Sequence, residues 1–396
     1  MQIVETWSLL SHLICSRCGK LYNSQVIQTF SSCCHKPLEA RYDTRAGLDR
    51  QVLKNRQNSL WRYHELLPVT DEANIISLGE GMTPVIPLRT LEKIYGFENL
   101  YIKDESLNPT GSFKARGLSV AISKAKELGV ESCIIPTAGN AGGAMSAYCS
   151  KAGIHAIVVM PSHTPKVFQQ ECKLFNAELI LVHGLINDCA AKVKEIRKER
   201  NSFDMSTLKE PYRLEGKKTL GFEIAEQFDW ELPDVILYPT GGGTGLIGIW
   251  KAFFEMIDLG WISNKLPRMI AVQTENCQPI VYTFNGKHEN AAHYRGSASL
   301  ANGLAVPVPF GEDLIMETII ESGGTAIAVS ESMLIEGVKE MAAKEGLLVA
   351  PEGGAIWKGL LQLLKEGKVS RHEKILLLNT GSGYKYLENI QSGMPE

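Results

Sequence analysis

Chemistry in this chain concentrates at one lysine, one arginine, two glycine-rich junctions and a group of thiols. The lysine lies in Asn108-Pro109-Thr110-Gly111-Ser112-Phe113-Lys114-Ala115-Arg116-Gly117. Pro109 and Gly111 interrupt whatever precedes them. The run from Ala115 to Leu128 reads as helix, with Ser112 placed to cap it through its hydroxyl. An amine at a helix start feels the positive end of the backbone dipoles, which lowers its proton affinity. Beside an apolar neighbour such as Phe113, Lys114 would be available as the neutral nucleophile that forms a Schiff base with a carbonyl. Taken alone, the same residues also describe a solvated lysine.

The first glycine junction is Thr137-Ala138-Gly139-Asn140-Ala141-Gly142-Gly143, and the second is Pro239-Thr240-Gly241-Gly242-Gly243-Thr244-Gly245. In each, glycine lets backbone amides approach an anion, and the helix that follows adds its field. A tight strand-to-helix turn uses the same residues. The second is not a Walker loop, because no Gly-Lys-Ser/Thr follows, and no ribose-binding acid makes it a dinucleotide fingerprint. In Pro211-Tyr212-Arg213-Leu214-Glu215-Gly216-Lys217-Lys218-Thr219, the Arg213 fork suits a phosphate or carboxylate, although a surface arginine at a helix start fits as well.

The thiols come first in the chain. Cys15-Ser16-Arg17-Cys18-Gly19 is a knuckle of the zinc-holding kind, and Cys33-Cys34-His35 follows after fourteen intervening residues. Adjacent thiolates reach one tetrahedral ion only with strain, and His35 can replace one of them. The expected metal set is therefore Cys15, Cys18, Cys34 and His35, against a ribbon that packs without metal. Cys133, Cys149, Cys172, Cys189 and Cys277 are scattered singly and read as reduced core thiols.

The elements that must position these groups alternate. Strands Asn99–Lys103, Cys133–Pro136, His155–Met160, Glu178–Val182, Asp234–Tyr238, Met269–Gln273, Thr325–Val329 and Ile375–Leu378 are short apolar runs separated by helical patterns. That order argues for parallel sheets covered on both faces, with ligands at the carboxyl ends of the strands. Both glycine junctions fall at such ends. Residues 46–68 read as a connecting helix and arm anchored by Trp61, Tyr63, Leu66 and Leu67, and 394–396 as a frayed end.

A length of 396 residues suggests two lobes plus an appendage. The division expected is a Cys-containing ribbon-like segment over 1–43, a large lobe from 44–111 with 213–396, and a small α/β lobe over 112–212. A net charge of −3 shows no basic excess for nucleic acid or anionic membrane, and no apolar stretch approaches the ~20 residues of a membrane helix. The N-terminus has neither a basic start nor a small-residue cleavage site, so the expected location is cytoplasmic.

Asn-Pro-Thr-Gly-Ser-Phe-Lys-x-Arg-Gly resembles the cofactor-lysine motif of the fold-type II pyridoxal phosphate enzymes. The motif order from about Leu78 to Tyr386 is similar too: lysine, asparagine loop, glycine loop, and Asn379-Thr380-Gly381-Ser382-Gly383. Within that group the Cys segment and the Arg-x-Glu-Gly-x-Lys-Thr run resemble threonine synthases. The resemblance implies an α/β fold of two doubly wound lobes with parallel-rich sheets. It makes Lys114 the catalytic residue and cofactor anchor. Asn140 would then bind the phenolic oxygen, Gly241, Gly242, Gly243, Thr244 and Gly245 the phosphate, and Thr380 the ring nitrogen. Thr137, Ala138, Gly139 and Ala141 would hold a substrate carboxylate, and Arg213 a substrate phosphate. The implied reaction converts O-phospho-L-homoserine and water to L-threonine and phosphate, in a homodimer with a small phosphorylated amino acid as its partner. Gly241-Gly242-Gly243 departs towards the dehydratases. A threonine/serine dehydratase and an O-phosphoserine-dependent β-replacement enzyme therefore remain as alternatives.

Overall fold

The computed structural model describes residues 7–391 apart from 185 and 288, so the end at 394–396 lies outside the described residues. The chain opens with β1 (Leu10–Cys15), β2 (Leu21–Tyr22) and β3 (Leu38–Tyr42). Then come β4 (Val85–Pro87), α1 (Arg89–Tyr95), β5 (Asn99–Asp104), α2 (Lys114–Glu127), β6 (Ser132–Pro136), α3 (Asn140–Ala152) and β7 (His155–Pro161). They are followed by α4 (Lys166–Leu174), β8 (Glu178–Val182), α5 (Ile186–Glu199), β9 (Phe203–Asp204), α6 (Tyr212–Gln227), β10 (Val235–Pro239) and α7 (Thr244–Asp258). The remainder is β11 (Arg268–Thr274), α8 (Pro279–Phe284), α9 (Glu312–Glu321), β12 (Thr325–Val329), α10 (Glu331–Glu345), α11 (Pro351–Lys365), β13 (Lys374–Asn379) and α12 (Leu387–Gln391).

Two compact units divide the chain. One contains 1–82, 114–222 and 251–261, the other 83–113, 223–250 and 262–396. The boundaries fall inside α6 and α7, and the ribbon and residues 44–82 go with 114–222. The division expected from the sequence had instead joined 44–111 to 213–396.

In the first unit, β8-β7-β6-β9 form an all-parallel sheet. Ile157 and Val159 of β7 pack with Cys189, Val193 and Ile196 of α5, while Val158 between them lies against Gly142 of α3. Because side chains alternate along a strand, the sheet is covered on both faces, and its strands read as continuous apolar runs. The ribbon is a separate antiparallel sheet, β2-β1-β3, with Leu13, Cys15, Leu38 and Ala40 buried. Residues 46–68 carry no α-helix. They form 3-10 turns at Arg50–Asn55 and Leu60–Leu66, and the anchors Trp61, Tyr63, Leu66 and Leu67 are buried. Leu60, Trp61, Arg62 and Tyr63 are buried in succession, which the single stripe of an amphipathic helix does not permit.

The second unit is built on β12-β11-β10-β13-β5-β4, parallel except for the β4–β5 pair. β10, β13 and β5 are neighbours, so their carboxyl ends bring together the glycine loop after β10, the Thr380 loop after β13 and the turn before Lys114. Ligands of open α/β sheets gather at that edge.

Candidate active site

The turn before Lys114 is fastened to the Thr380 loop. At the strand ends, Asn379 Nδ2 donates to the Asp104 carboxylate at 2.7 Å. Thr110 and Gly111 take left-handed backbone, φ +60° and +63°. Ser382 N donates to Gly111 O at 2.9 Å, Phe113 N to Thr380 O at 3.0 Å, and Lys385 Nζ to Thr110 O at 2.8 Å. Helix α2 begins at Lys114 itself, which is half-buried. The expected cap is corrected. Ser112 is fully buried and its Oγ has no hydrogen-bond partner among the described residues, so it does not cap α2. Thr380 is buried.

The glycine loop needs its glycines. A Cβ on Gly241 would collide with the Gly303 carbonyl oxygen, one on Gly243 (φ +76°) with the Ile315 side chain, and one on Gly245 with the Tyr238 hydroxyl. Gly242 is half-buried and Thr244, the first residue of α7, is buried. The first amides of a helix lack partners within it. A backbone loop that no side chain may fill, ending at a helix start, suits a phosphate.

In the first unit, Thr137 N extends the β6–β7 ladder by donating to Val159 O at 3.0 Å, and Gly139 N donates to Thr137 Oγ1 at 3.2 Å. Asn140 and Ala141 follow as the first two residues of α3. Ala138 lies between Thr137 and Gly139, in the loop itself.

Arg213 is the second residue of α6 and is 2% exposed. Its Nη1 donates to Met205 O at 2.5 Å, and its buried Nε has no hydrogen-bond partner among the described residues. Glu210 caps the helix, accepting from Tyr212 N at 2.7 Å and Arg213 N at 3.0 Å. Burial pushes the Glu210 carboxyl up to about 7, against the pull of Arg213. Burial also lowers the Arg213 pKa, opposed by Glu210 and Asp204. A Cβ on Gly117 would stand 2.8 Å from Arg213 O, and one on Gly216 would collide with Arg116 O. The starts of α2 and α6 thus meet backbone to backbone, with Lys114 one turn from the contact. Sequence reasoning missed Glu210; an acid just ahead of Pro-Tyr-Arg was the available signal.

The metal set is corrected in one member. Cys15, Cys18, Cys33 and Cys34 place their sulfurs within 4.8 Å of one another, and His35 is outside the group. The reason is the tight turn Ser31–Lys36. Ser31 N donates to Lys36 O at 2.9 Å and His35 N to Ser31 O at 3.0 Å. His35 takes a left-handed φ of +52°, its ring 5.9 Å from that of Phe30. Burial pulls the Cys15 thiol up, but hydrogen bonds with Ser31 and the backbone of Cys18 and Arg17 bring it to about 6. The Cys34 thiol is pushed up to about 12, chiefly through its bond with Cys18. Four thiols crowded this closely suit a divalent cation, and an all-thiolate set fits zinc.

Residues 76–381 match the family model described as "Pyridoxal-phosphate dependent enzyme". Threonine synthase of Methanocaldococcus jannaschii is 35% identical over 94% of this chain and 92% of its own. That of Methanosarcina acetivorans is 34% identical over 93% and 91%. The chain belongs to the threonine synthase family of pyridoxal-phosphate dependent enzymes. Its fold is shared with the processed threonine deaminase isoform 2 of Solanum lycopersicum, at TM-score 0.64 and 19% identity over 79% of this chain and 88% of that one. The family's cofactor carries a phosphate and an aldehyde. The glycine loop at the start of α7 fits the first and the Lys114 amine the second.

Proposed function

We propose that the chain is a threonine synthase, converting O-phospho-L-homoserine and water to L-threonine and phosphate. The observation that carries this reading is Arg213. Among the described residues its buried guanidinium donates to one carbonyl and leaves Nε without a hydrogen-bond partner, in a chain similar to threonine synthases along nearly its whole length. In this reading Lys114 holds the pyridoxal phosphate, Asn140 the phenolic oxygen, Gly241 to Gly245 the phosphate, and Thr380 the ring nitrogen. Amides of Thr137, Ala138, Gly139 and Ala141 orient the substrate carboxylate. The cofactor supplies an electron sink for the charge that develops at the substrate α carbon. Lys114 Nζ takes the α proton and moves protons at the carbons beyond it. Arg213 neutralises the phosphate leaving the γ carbon, and water adds at the β carbon.

Zinc on Cys15, Cys18, Cys33 and Cys34 completes the proposal. The cytoplasmic location is proposed from the singly scattered cysteines of the sequence, which read as reduced core thiols. Among the described residues no helix is long and apolar enough to cross a membrane. The homodimer is proposed on the family resemblance.

The test is phosphate release from O-phospho-L-homoserine by the purified protein, with threonine and 2-oxobutyrate assayed in parallel. Phosphate and threonine in equal amounts are expected. Absence of phosphate, with 2-oxobutyrate formed from added threonine, would replace this reading with a dehydratase, which Gly241-Gly242-Gly243 favours.

A further inference from the structure

The thiol ribbon grips the turn that carries Arg213. Ser24 lies in the loop between the two thiol pairs. It is 3% exposed, and its carbonyl accepts from Tyr212 Oη at 3.5 Å, one residue before Arg213. Tyr42, the last residue of β3, donates from Oη to Glu215 Oε2 at 2.8 Å, two residues after Arg213. Ala40 O accepts from Lys251 Nζ at 2.6 Å, and that ammonium also pairs with Glu215. Lys218 Nζ pairs with Glu215 at 2.6 Å and lies 3.8 Å from the centre of the Tyr42 ring. Glu215 and Lys218 are fully buried and Lys251 nearly so. A desolvated network of this kind holds one geometry, because moving any member strands the others without water. Burial and the Glu215 charge raise the Tyr42 pKa, so its hydroxyl stays a donor.

The two anchor points of the ribbon flank the second thiol pair, Cys33-Cys34. Ser24 lies within the fourteen residues that separate Cys18 from Cys33, and β3 starts four residues after Cys34. A cation joining the four sulfurs closes that loop and ties both anchors to one centre; without it the loop regains its freedom. The turn before Lys114 is fastened by Gly111, Phe113 and Thr110 to residues 380–385 instead, with no ribbon atom in those bonds.

We propose that the four-cysteine ribbon is a metal-dependent positioning element for the phosphate grip: metal in the ribbon sets the first turn of α6, and its loss weakens binding of the phosphate-bearing substrate without displacing the lysine. This rests on the proposed role of Arg213 as the phosphate partner.

Two full-length holoenzyme variants test it. Cys18→Ser combined with Cys33→Ser removes the metal, and Tyr42→Phe cuts the link while sparing the thiols. Metal content, cofactor absorbance, KM and kcat for O-phospho-L-homoserine, and the Kd of inorganic phosphate by calorimetry would be measured. Both variants should raise KM and the phosphate Kd by about tenfold, the scale of one lost hydrogen bond to a charged group. The kcat and the cofactor absorbance should stay near wild type, and Tyr42→Phe should keep its zinc. An unchanged KM and phosphate Kd in Tyr42→Phe would overturn the proposal, as would kcat and cofactor falling together with them. The Tyr42→Phe result decides alone if the double variant fails to fold. A wild-type protein that binds phosphate without turning over O-phospho-L-homoserine would sink the threonine synthase reading. The positioning role would then be judged on the phosphate Kd, and loss of its dependence on the ribbon would end it.

Discussion

Arg213→Ala separates a phosphate grip from a structural arginine. In the structure the guanidinium donates to Met205 O and stands near Glu210 and Asp204. Removing it costs the fold one carbonyl partner and one neighbouring cation. Glu210, already raised to about 7, can take up a proton, so the stability loss should stay within ~1–3 kcal/mol. Binding should suffer more selectively. A charge-assisted bond to phosphate contributes ~1.5–3 kcal/mol, and at ~1.4 kcal/mol per decade KM for O-phospho-L-homoserine should rise by ~10- to ~150-fold. Threonine and serine carry no phosphate, so their kinetics should change little. Arg213→Lys keeps a point charge without the fork and should recover only part of the loss. Initial rates of phosphate release, with 2-oxobutyrate from threonine in parallel, read both effects. Equal changes for phosphorylated and unphosphorylated substrates would refute the reasoning, because a general collapse of α6 would produce that pattern.

Lys114→Ala should abolish turnover and the long-wavelength cofactor absorbance; a retained band would remove Lys114 as the anchor. Gly241→Ala drives a methyl into Gly303 O, an overpacking cost of ~1–3 kcal/mol that should appear as weaker cofactor retention on dialysis, with wild-type retention counting against the cradle. Glu210 is raised from 4.5 to about 7 by burial, so its stabilising contribution is present below about pH 4.5 and is lost as pH rises through 7. Its ionised form also opposes an anion at Arg213, so KM for the phosphorylated substrate should climb as pH rises through 7. Glu210→Gln should flatten that profile, and an unaltered slope would dismiss the carboxyl. Lys103, fully buried, donates to Glu223, Thr83 O and Gln227, each at 2.9 Å. Lys103→Met should cost ~3–5 kcal/mol in denaturant unfolding by taking one buried cation away from Glu223, and Glu223→Gln in the same chain should return part of it.

The positions of the main strands along the chain and of the two glycine junctions between strand and helix were readable because parallel strands buried on both faces leave continuous apolar runs, and because glycine is required where backbones nearly touch. Other features lack any such local signature. β9 is two residues long, and α8 spans only Pro279–Phe284, too short to show a helical period. The Ser112 cap failed because a hydroxyl in the right place along the chain can still be turned into the interior. His35 was chosen over Cys33 on the strain of adjacent thiolates. The turn from Ser31 to Lys36 removes that objection by bending the backbone through His35 itself.

The first turn of α6 shows why a motif can be legible while its support is not. Pro-Tyr-Arg-x-Glu-Gly can be read as an anion grip from the arginine alone. The residues around that arginine do different things. Glu210 caps the helix, Tyr212 and Glu215 meet the ribbon, and Gly216 admits the backbone of α2. The ribbon and α2 groups that meet Tyr212, Glu215 and Gly216 are distant in sequence, at residues 24, 42 and 116. Among the described residues the guanidinium is held by one carbonyl, so its direction depends on a backbone fixed from outside. Local sequence specifies the arginine; the distant elements specify where it can point.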